Sequence, residues 1–359
     1  MKDSFMFVDF DRSALTGSKP KGLKAVASWL ENAIIHVKLV LKEWLKVAWL
    51  FLSGSPFAAD YWKSGKTFRR AMTHAKKGNL DQAISDFTIV IELNPSFTLA
   101  YLNRGVAYRM KSRYEQAIAD FSRAIEFVPN LSYTVSCRGD AYLYKGDYEL
   151  AKADFARAIL LDPGGYDNYM KLGNSYIALG DHAQALVNYQ KAVQLEPGCM
   201  EAHCNLGHAY QDAEDFKRAI EEYTRAIEIN PNSTESYLIR GWVFDQIEEY
   251  DRAIVDYNRA IELKPDLVEA YCNRGLAYQK NGEYDRAIVD YDRTIELDPK
   301  YAAAWYNKAC VFALRGEKEK ALKELSKAFE LNAKLKEEAV KDGDFSGLKE
   351  DEDFKKLVS

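Results

Sequence analysis

The sequence is poor in the residues on which several protein classes depend. Cysteine occurs only five times in 359 residues and never as C-x-x-C, so neither a disulfide framework nor a zinc ribbon is indicated. There is no basic excess either, because 49 Lys and Arg stand against 54 Asp and Glu. This balance excludes bulk nucleic-acid binding. The sequence predicts a cytoplasmic protein, because thiols are few, no disulfide pattern is present and no apolar signal segment occurs near residue 1.

Catalytic signatures are also missing. The sequence contains no phosphate-binding glycine loop, H-E-x-x-H, G-x-S-x-G or kinase-like motif set. The one cluster of ligand-type side chains is Cys199, His203, Cys204 and His208, and it lacks a four-ligand metal spacing. We therefore expect no enzymatic activity, no cofactor and no metal.

Charge is distributed unevenly along the chain. Residues 1–77 hold 14 Lys and Arg against 6 Asp and Glu, whereas the segment 78–359 holds 35 against 48. Opposite charge in two segments suggests either that they contact each other or that they have separate targets.

Proline is scarce, but its placement is regular. Seven of the nine prolines recur at one constant spacing: Pro95, Pro129, Pro163, Pro197, Pro231, Pro265 and Pro299. An alanine column keeps the same phase from Ala83 to Ala321, and an aromatic column follows it from Phe87 to Tyr291. A small-residue column runs from Ala71 through six glycines to Ala309. Such a fixed period indicates a repeat architecture.

The residue pattern within each period predicts two helices. In residues 98–131, Tyr101, Gly105 and Tyr108 share one helical face, and Ala117 and Phe121 share another. Glycine in the small column lets two helix backbones approach closely, and the phased proline stops the second helix.

This order of aromatic, Gly, aromatic, Ala, aromatic, Ala and Pro within one period resembles the tetratricopeptide repeat (TPR). The resemblance implies an all-α, right-handed superhelical solenoid of about eight helix-turn-helix repeats. We expect residues 1–63 to form an N-terminal extension, 64–335 the repeats and 336–359 a C-terminal capping segment. Ala333 replaces the phased proline, so the last repeat helix is expected to continue towards Lys341. The tail either caps the array or offers a docking surface.

In TPR arrays the first helix of each pair lines a concave groove that holds a partner peptide or helix. Asparagines on that predicted wall can pair with a peptide backbone, or they are simply solvated. Apolar residues beside them form either an exposed binding patch or part of the core. The candidate groove residues are Leu99, Leu102, Asn103, Val106, Tyr133, Met170, Asn174, Asn205, Asn273 and Asn307.

Charges along the predicted groove favour a basic ligand. Asp167, Glu201, Glu235 and Glu269 repeat with the same period near its rim, where they either attract Lys and Arg or are solvated. Some TPR co-chaperones hold a C-terminal carboxylate with Lys, Asn and Arg. Here Met170 and Ile239 replace two of those cations. The Hsp70/Hsp90 C-terminal peptide is therefore disfavoured.

The segment before the repeats reads as a basic amphipathic helix over about 21–53. In a bilayer, the free-energy cost of inserting its charged side chains exceeds the gain from its apolar ones. We therefore do not expect this helix to span a membrane. Three roles stay open: a cap on the first repeat, a membrane or partner anchor, and a plug in the acidic array. The anchor residues would be Trp29, Trp44, Trp49, Lys38, Lys42 and Lys46.

The sequence thus predicts a non-catalytic scaffold or adaptor that binds a protein or peptide in its groove. The alternative is a peripheral membrane adaptor anchored by the N-terminal helix. Oligomeric state and partner identity are not encoded in any motif.

Overall fold

The computed structural model describes residue 45 and residues 58–359, and the chain divides between Gly198 and Cys199 into two compact units. In the described residues of the first unit, eight helices follow one another: α1 (Ala58–Lys76), α2 (Leu80–Leu93), α3 (Thr98–Met110), α4 (Tyr114–Phe127), α5 (Ser132–Lys145), α6 (Tyr148–Leu161), α7 (Tyr166–Ala178) and α8 (His182–Leu195).

The second unit continues the pattern and ends in a short helical tail. Its helices are α9 (Met200–Asp212), α10 (Phe216–Ile229), α11 (Thr234–Gln246), α12 (Tyr250–Leu263), α13 (Val268–Lys280), α14 (Tyr284–Leu297), α15 (Ala302–Leu314), α16 (Lys318–Leu331), α17 (Leu335–Lys341), a 3₁₀ helix (Gly343–Leu348) and α18 (Glu352–Val358). No strand occurs between residues 58 and 359. The all-α architecture of paired helices is confirmed.

Close contact between a glycine and an aromatic ring fixes each helix pair. A Cβ atom on Gly105 would lie 2.8 Å from Cε1 of Phe121, and one on Gly207 would lie 2.7 Å from Cε1 of Tyr223. These distances are shorter than carbon–carbon contact allows. The rings of Phe121 and Tyr223 are fully buried, and burying such a side chain stabilises the fold by roughly 1.5–3 kcal/mol.

Ion pairs tie the two helices of a repeat together. In five repeats a first-helix arginine donates to a second-helix aspartate: Arg70–Asp86, Arg104–Asp120, Arg138–Asp154, Arg240–Asp256 and Arg274–Asp290. Four of these guanidinium groups also donate to the second helix of the preceding repeat, at Thr88, Ser122, Thr224 and Asn258. We call this set the arginine ladder. Leu172 and Leu206 occupy the same position in α7 and α9, so the ladder is interrupted there.

First helices of successive repeats contact one another within each unit. The contacting pairs are α1–α3, α3–α5 and α5–α7 in the first unit, and α11–α13 and α13–α15 in the second. Within each unit, successive second helices approach one another less closely than these first helices do. The first helices therefore line the inner side of each unit, and we call their exposed face the inner wall.

The tail packs on the last repeat. Phe345, Leu348 and Phe354 are buried in one cluster with Tyr306 and Phe329. The expected continuation of the last repeat helix is wrong, because α16 ends at Leu331 and α17 is a separate helix. Although proline is absent, the Asn332 Oδ1 atom accepts the Lys334 N–H at 3.1 Å and turns the chain.

Candidate partner-binding site

Charged side chains fill the inner wall of the first unit. Asp140 of α5 accepts hydrogen bonds from Arg109 of α3 at 3.1 Å and from Lys171 of α7 at 3.2 Å. Lys171 also pairs with Asp167 at 2.8 Å. Burial raises the pKa of Asp140, and the two cations oppose this shift. These two cations and two carboxylates therefore compensate one another's charge.

Three of the predicted groove residues in the first unit lie in the core. Leu99 and Leu102 pack in a buried cluster with Phe121 and Cys137, and Met170 is buried as well. Residues of the paired helix α4 and of the neighbouring first helices α1 and α5 cover Leu99 and Leu102.

The other predicted residues of this unit reach the surface. Tyr133 is 54% exposed, whereas Asn103, Val106 and Asn174 are half-buried. Asn103 donates to the Leu99 carbonyl at 2.8 Å, so part of its amide is used within α3. Asn174 accepts a hydrogen bond from the Tyr189 hydroxyl at 2.7 Å.

The inner wall of the second unit has a different character, since it contains a shallow, mostly apolar depression of about 230 Å³. Its lining comes from α9, α11 and α13: His208, Gln211, Leu238, Ile239, Trp242 and Asn273. Trp242 is 38% exposed, so part of its ring reaches the surface of the depression. We call this feature the Trp242 depression.

Hydrogen bonding fixes one side of the Trp242 depression. The Tyr223 hydroxyl comes from α10 through the core and donates to Gln211 Oε1 at 3.1 Å. Because the oxygen of this amide is the acceptor, its NH₂ group is available as a donor. The His208 ring lies edge-on to Tyr223, with ring centroids 5.6 Å apart. Burial lowers the pKa of His208, so the ring is neutral at pH 7.

Acidic side chains follow the first turns of the same helices. Glu201, Glu235 and Glu269 are exposed at equivalent positions of α9, α11 and α13. None of the three has an ion-pair partner in the part of the chain that the structure describes. Asp167, the fourth member of the predicted acidic row, is instead paired with Lys171.

Of the predicted asparagines in the second unit, Asn273 lines the Trp242 depression. Asn205 and Asn307 are half-buried and do not line it. Sequence reasoning missed Leu238, Ile239 and Trp242. A signal was present, because Val106, Asn174, His208 and Trp242 occupy one phase of the repeat period.

Burial raises the thiol pKa of several cysteines. The Cys204 Sγ atom lies 3.6 Å from Ser236 Oγ, and burial raises the pKa of this thiol. Burial likewise raises the pKa of Cys137 to about 11 and that of Cys272 to about 12. Thiols with such pKa values stay protonated at neutral pH and are poor nucleophiles.

A group of potential metal ligands in the described part of the chain consists of Cys310, Asp342 and Asp344, whose ligand atoms lie within 4.8 Å of one another. Asp342 Oδ2 accepts from the Tyr306 hydroxyl at 2.8 Å and from the Cys310 thiol. Asp344 accepts from Gln279 at 3.0 Å. These bonds hold the tail against α13 and α15.

The proposed anchor residues, Trp29, Trp44, Trp49, Lys38, Lys42 and Lys46, lie outside the described residues. Among residues that are described, no helix combines the length and apolar character needed to cross a bilayer.

Sequence profiles described as TPR or tetratricopeptide repeat match most of the array: residues 68–132, 133–164, 173–213, 201–233, 243–282, 268–301 and 290–323. The chain belongs to the tetratricopeptide repeat family. The predicted family is confirmed. A comparison with curated proteins finds no match.

Several solved TPR structures are similar to this chain. MamA is 32% identical over 46% of this chain and 96% of its own, with a TM-score of 0.44. YrrB, described as a TPR protein with an unusual peptide-binding site, is 26% identical over 50% of this chain and 92% of its own, with a TM-score of 0.44. The C-terminal part of a TPR protein from Cytophaga hutchinsonii is 22% identical over 67% of this chain and 98% of its own, with a TM-score of 0.57. The last of these shows a shared fold.

Proposed function

We propose that this TPR protein is a non-catalytic scaffold that binds a partner peptide or helix on its inner wall. The observation that carries the proposal is the Trp242 depression, because it presents a partly exposed tryptophan beside Leu238 and Ile239, and tryptophan is enriched among residues that dominate binding energy. Membership of a repeat family whose stacked helix pairs create extended concave surfaces supports the same role.

Each unit offers its own accessible residues for contact with a partner. In the first unit these are Asn103, Val106, Tyr133 and Asn174. In the second unit they are Asn205, Asn273, Asn307 and the residues that line the Trp242 depression. Buried Leu99, Leu102 and Met170 support the inner wall without touching the ligand. Substituting them would report on stability and not on binding.

The test is a quantitative affinity capture with full-length protein. We expect the double variant Trp242→Ala/Ile239→Ser to lose partners that wild type retains, because both side chains line the depression. The matched control is Val255→Ala/Val289→Ala, which truncates side chains that are 64% and 65% exposed on second helices. Circular dichroism verifies the fold of both variants. Retention of every specific partner by the first variant would contradict the proposal.

A second candidate is a peripheral membrane adaptor that attaches through residues 21–53. The sequence favours it because two of the tryptophans, Trp29 and Trp44, fall opposite the lysine face of one predicted helix. We expect full-length protein to float with vesicles of phosphatidylcholine and phosphatidylserine, and residues 58–359 to sediment. This truncation leaves α1 intact, since the helix begins at Ala58. Equal flotation of both proteins would remove this candidate.

A further inference from the structure

We infer that the Trp242 depression selects an extended peptide that combines an apolar anchor residue with a nearby Lys or Arg. This inference rests on the proposed inner-wall function and specifies the chemistry of its ligand. Four features of the second unit support it: the size of the depression, its apolar floor, its flanking amides and its uncompensated acidic charge.

The size and floor of the depression fit one side chain. A volume of about 230 Å³ is below the roughly 300–1,000 Å³ of small-molecule sites, so the depression suits a single anchoring residue. Leu238 and Ile239 lie four and three positions before Trp242 on α11, and each therefore shares a face with Trp242. An aliphatic or aromatic anchor would complete the partial burial of Trp242.

Amide groups stand on both sides of this apolar floor. Gln211 projects from α9 and Asn273 from α13. Side-chain amides donate and accept, so such a pair matches the C=O and N–H groups of an extended backbone. Tyr223 is a positioning residue, because its hydroxyl occupies Gln211 Oε1 and directs the NH₂ group towards the ligand.

Charge around the depression favours a cation. The cations on α11 and α13 are matched within the unit, because Arg240 pairs with Asp256, Arg274 with Asp290 and Lys280 with Asp245.

In contrast, Glu201, Glu235 and Glu269 lack ion-pair partners among described residues. His208 adds no positive charge at pH 7, since burial lowers its pKa while Glu235 and Asp212 oppose that shift. The wall is therefore net negative, and an acidic peptide would be repelled.

Helix geometry sets the spacing between anchor and cation. Glu235 and Trp242 are seven residues apart on α11, which corresponds to two turns on one face and about 10 Å along the axis. An extended peptide covers this distance in about three residues. The preferred ligand thus carries Lys or Arg within about three positions of its apolar anchor.

The experiment selects a displayed library of random nonapeptides on full-length protein at pH 7. We expect enrichment of Lys or Arg within three positions of an aliphatic or aromatic residue. The triple charge reversal Glu201→Lys/Glu235→Lys/Glu269→Lys should shift enrichment to Asp and Glu. We expect Trp242→Ala to weaken binding of a selected, synthesised peptide by tenfold or more in fluorescence polarisation.

Tyr223→Phe tests the positioning role. Loss of its hydrogen bond should weaken binding of the same peptide by roughly 2- to 10-fold. Tyr291→Phe is the matched control, because its hydroxyl donates to Gln279, which is itself bonded to the tail. Equal affinity of both variants would overturn the role of Tyr223.

The outcomes separate this inference from the proposed function. Selected peptides that require Trp242 but show no basic enrichment, or show acidic enrichment, would overturn the ligand chemistry and leave the scaffold role standing. If no selected peptide depends on Trp242, both proposals fail.

Discussion

The turn between the paired helices is the place where single residues adopt a demanding backbone conformation. Five of the eight repeats place glycine there with φ between 73° and 92°, as at Gly146 and Gly282. The other three place Ser112, Glu214 and Glu248 there with φ of 57° to 60°. A side chain in this left-handed region costs roughly 1–2 kcal/mol, so these three turns are strained.

Relief of that strain should stabilise the protein. We expect Glu248→Gly to raise the free energy of unfolding by about 0.5–1 kcal/mol, because the strain removed exceeds the chain entropy that glycine adds. Gly282→Ala, at φ of 79°, should lower it by a similar amount. Urea titration followed by circular dichroism measures both variants. A less stable Glu248→Gly variant would show that this turn is not strained.

At the scale of helices, four members of the arginine ladder each join their repeat to the one before it. Arg240 donates two hydrogen bonds to Asp256 and one to Thr224 of the preceding repeat. The Asp256 side chain is only 3% exposed, so the carboxylate depends on this arginine for its compensation. Pairs on the outer faces of second helices differ, since Arg259 and Glu262 are both well exposed.

The burial of its carboxylate partner should therefore determine how much the loss of an arginine lowers the free energy of unfolding. We expect Arg240→Ala to lower the free energy of unfolding by about 3–5 kcal/mol, because it leaves Asp256 charged and buried without a partner. Arg259→Ala should change it by no more than about 1 kcal/mol. Chemical unfolding of both variants gives the comparison. Similar losses would mean that the ladder contributes no more than a surface pair.

At the scale of the whole chain, the repeats differ in whether they carry the arginine ladder and in what packs against them. The ladder is interrupted at Leu172 and Leu206, in the two repeats that flank the division between Gly198 and Cys199. The second unit ends in a tail that buries Phe345 and Phe354 against Tyr306. The tail replaces the neighbour that every internal repeat has, and it shields apolar surface of α15 and α16.

Loss of tail packing should destabilise the second unit. We expect Phe345→Ala to cost about 3–5 kcal/mol, since this ring is fully buried. Val340→Ala is the control in the same tail, because Val340 is 48% exposed and should change stability by about 0.5 kcal/mol or less. Hydrogen exchange should rise in α15 and α16 of the first variant only. Unchanged protection there would show that the tail is not a cap.

The sequence by itself determined the helices, their pairing and the family. Each helix satisfies its own backbone, and glycine opposite an aromatic ring packs one way only, so a strict period of these residue types suffices. It also predicted that Asn273 and the acidic residues Glu201, Glu235 and Glu269 lie on first helices, because the period fixes which residues fall in each helix.

Only the tertiary structure decided which inner-wall residues a ligand can reach. Leu102 and Val106 share a helix face, yet packing against the paired helix and the next first helix buries Leu102 and leaves Val106 partly open. The same contacts leave Trp242 exposed beside Gln211 and Asn273, which are distant in sequence. Accessibility depends on how three helices converge, and no single repeat contains that information.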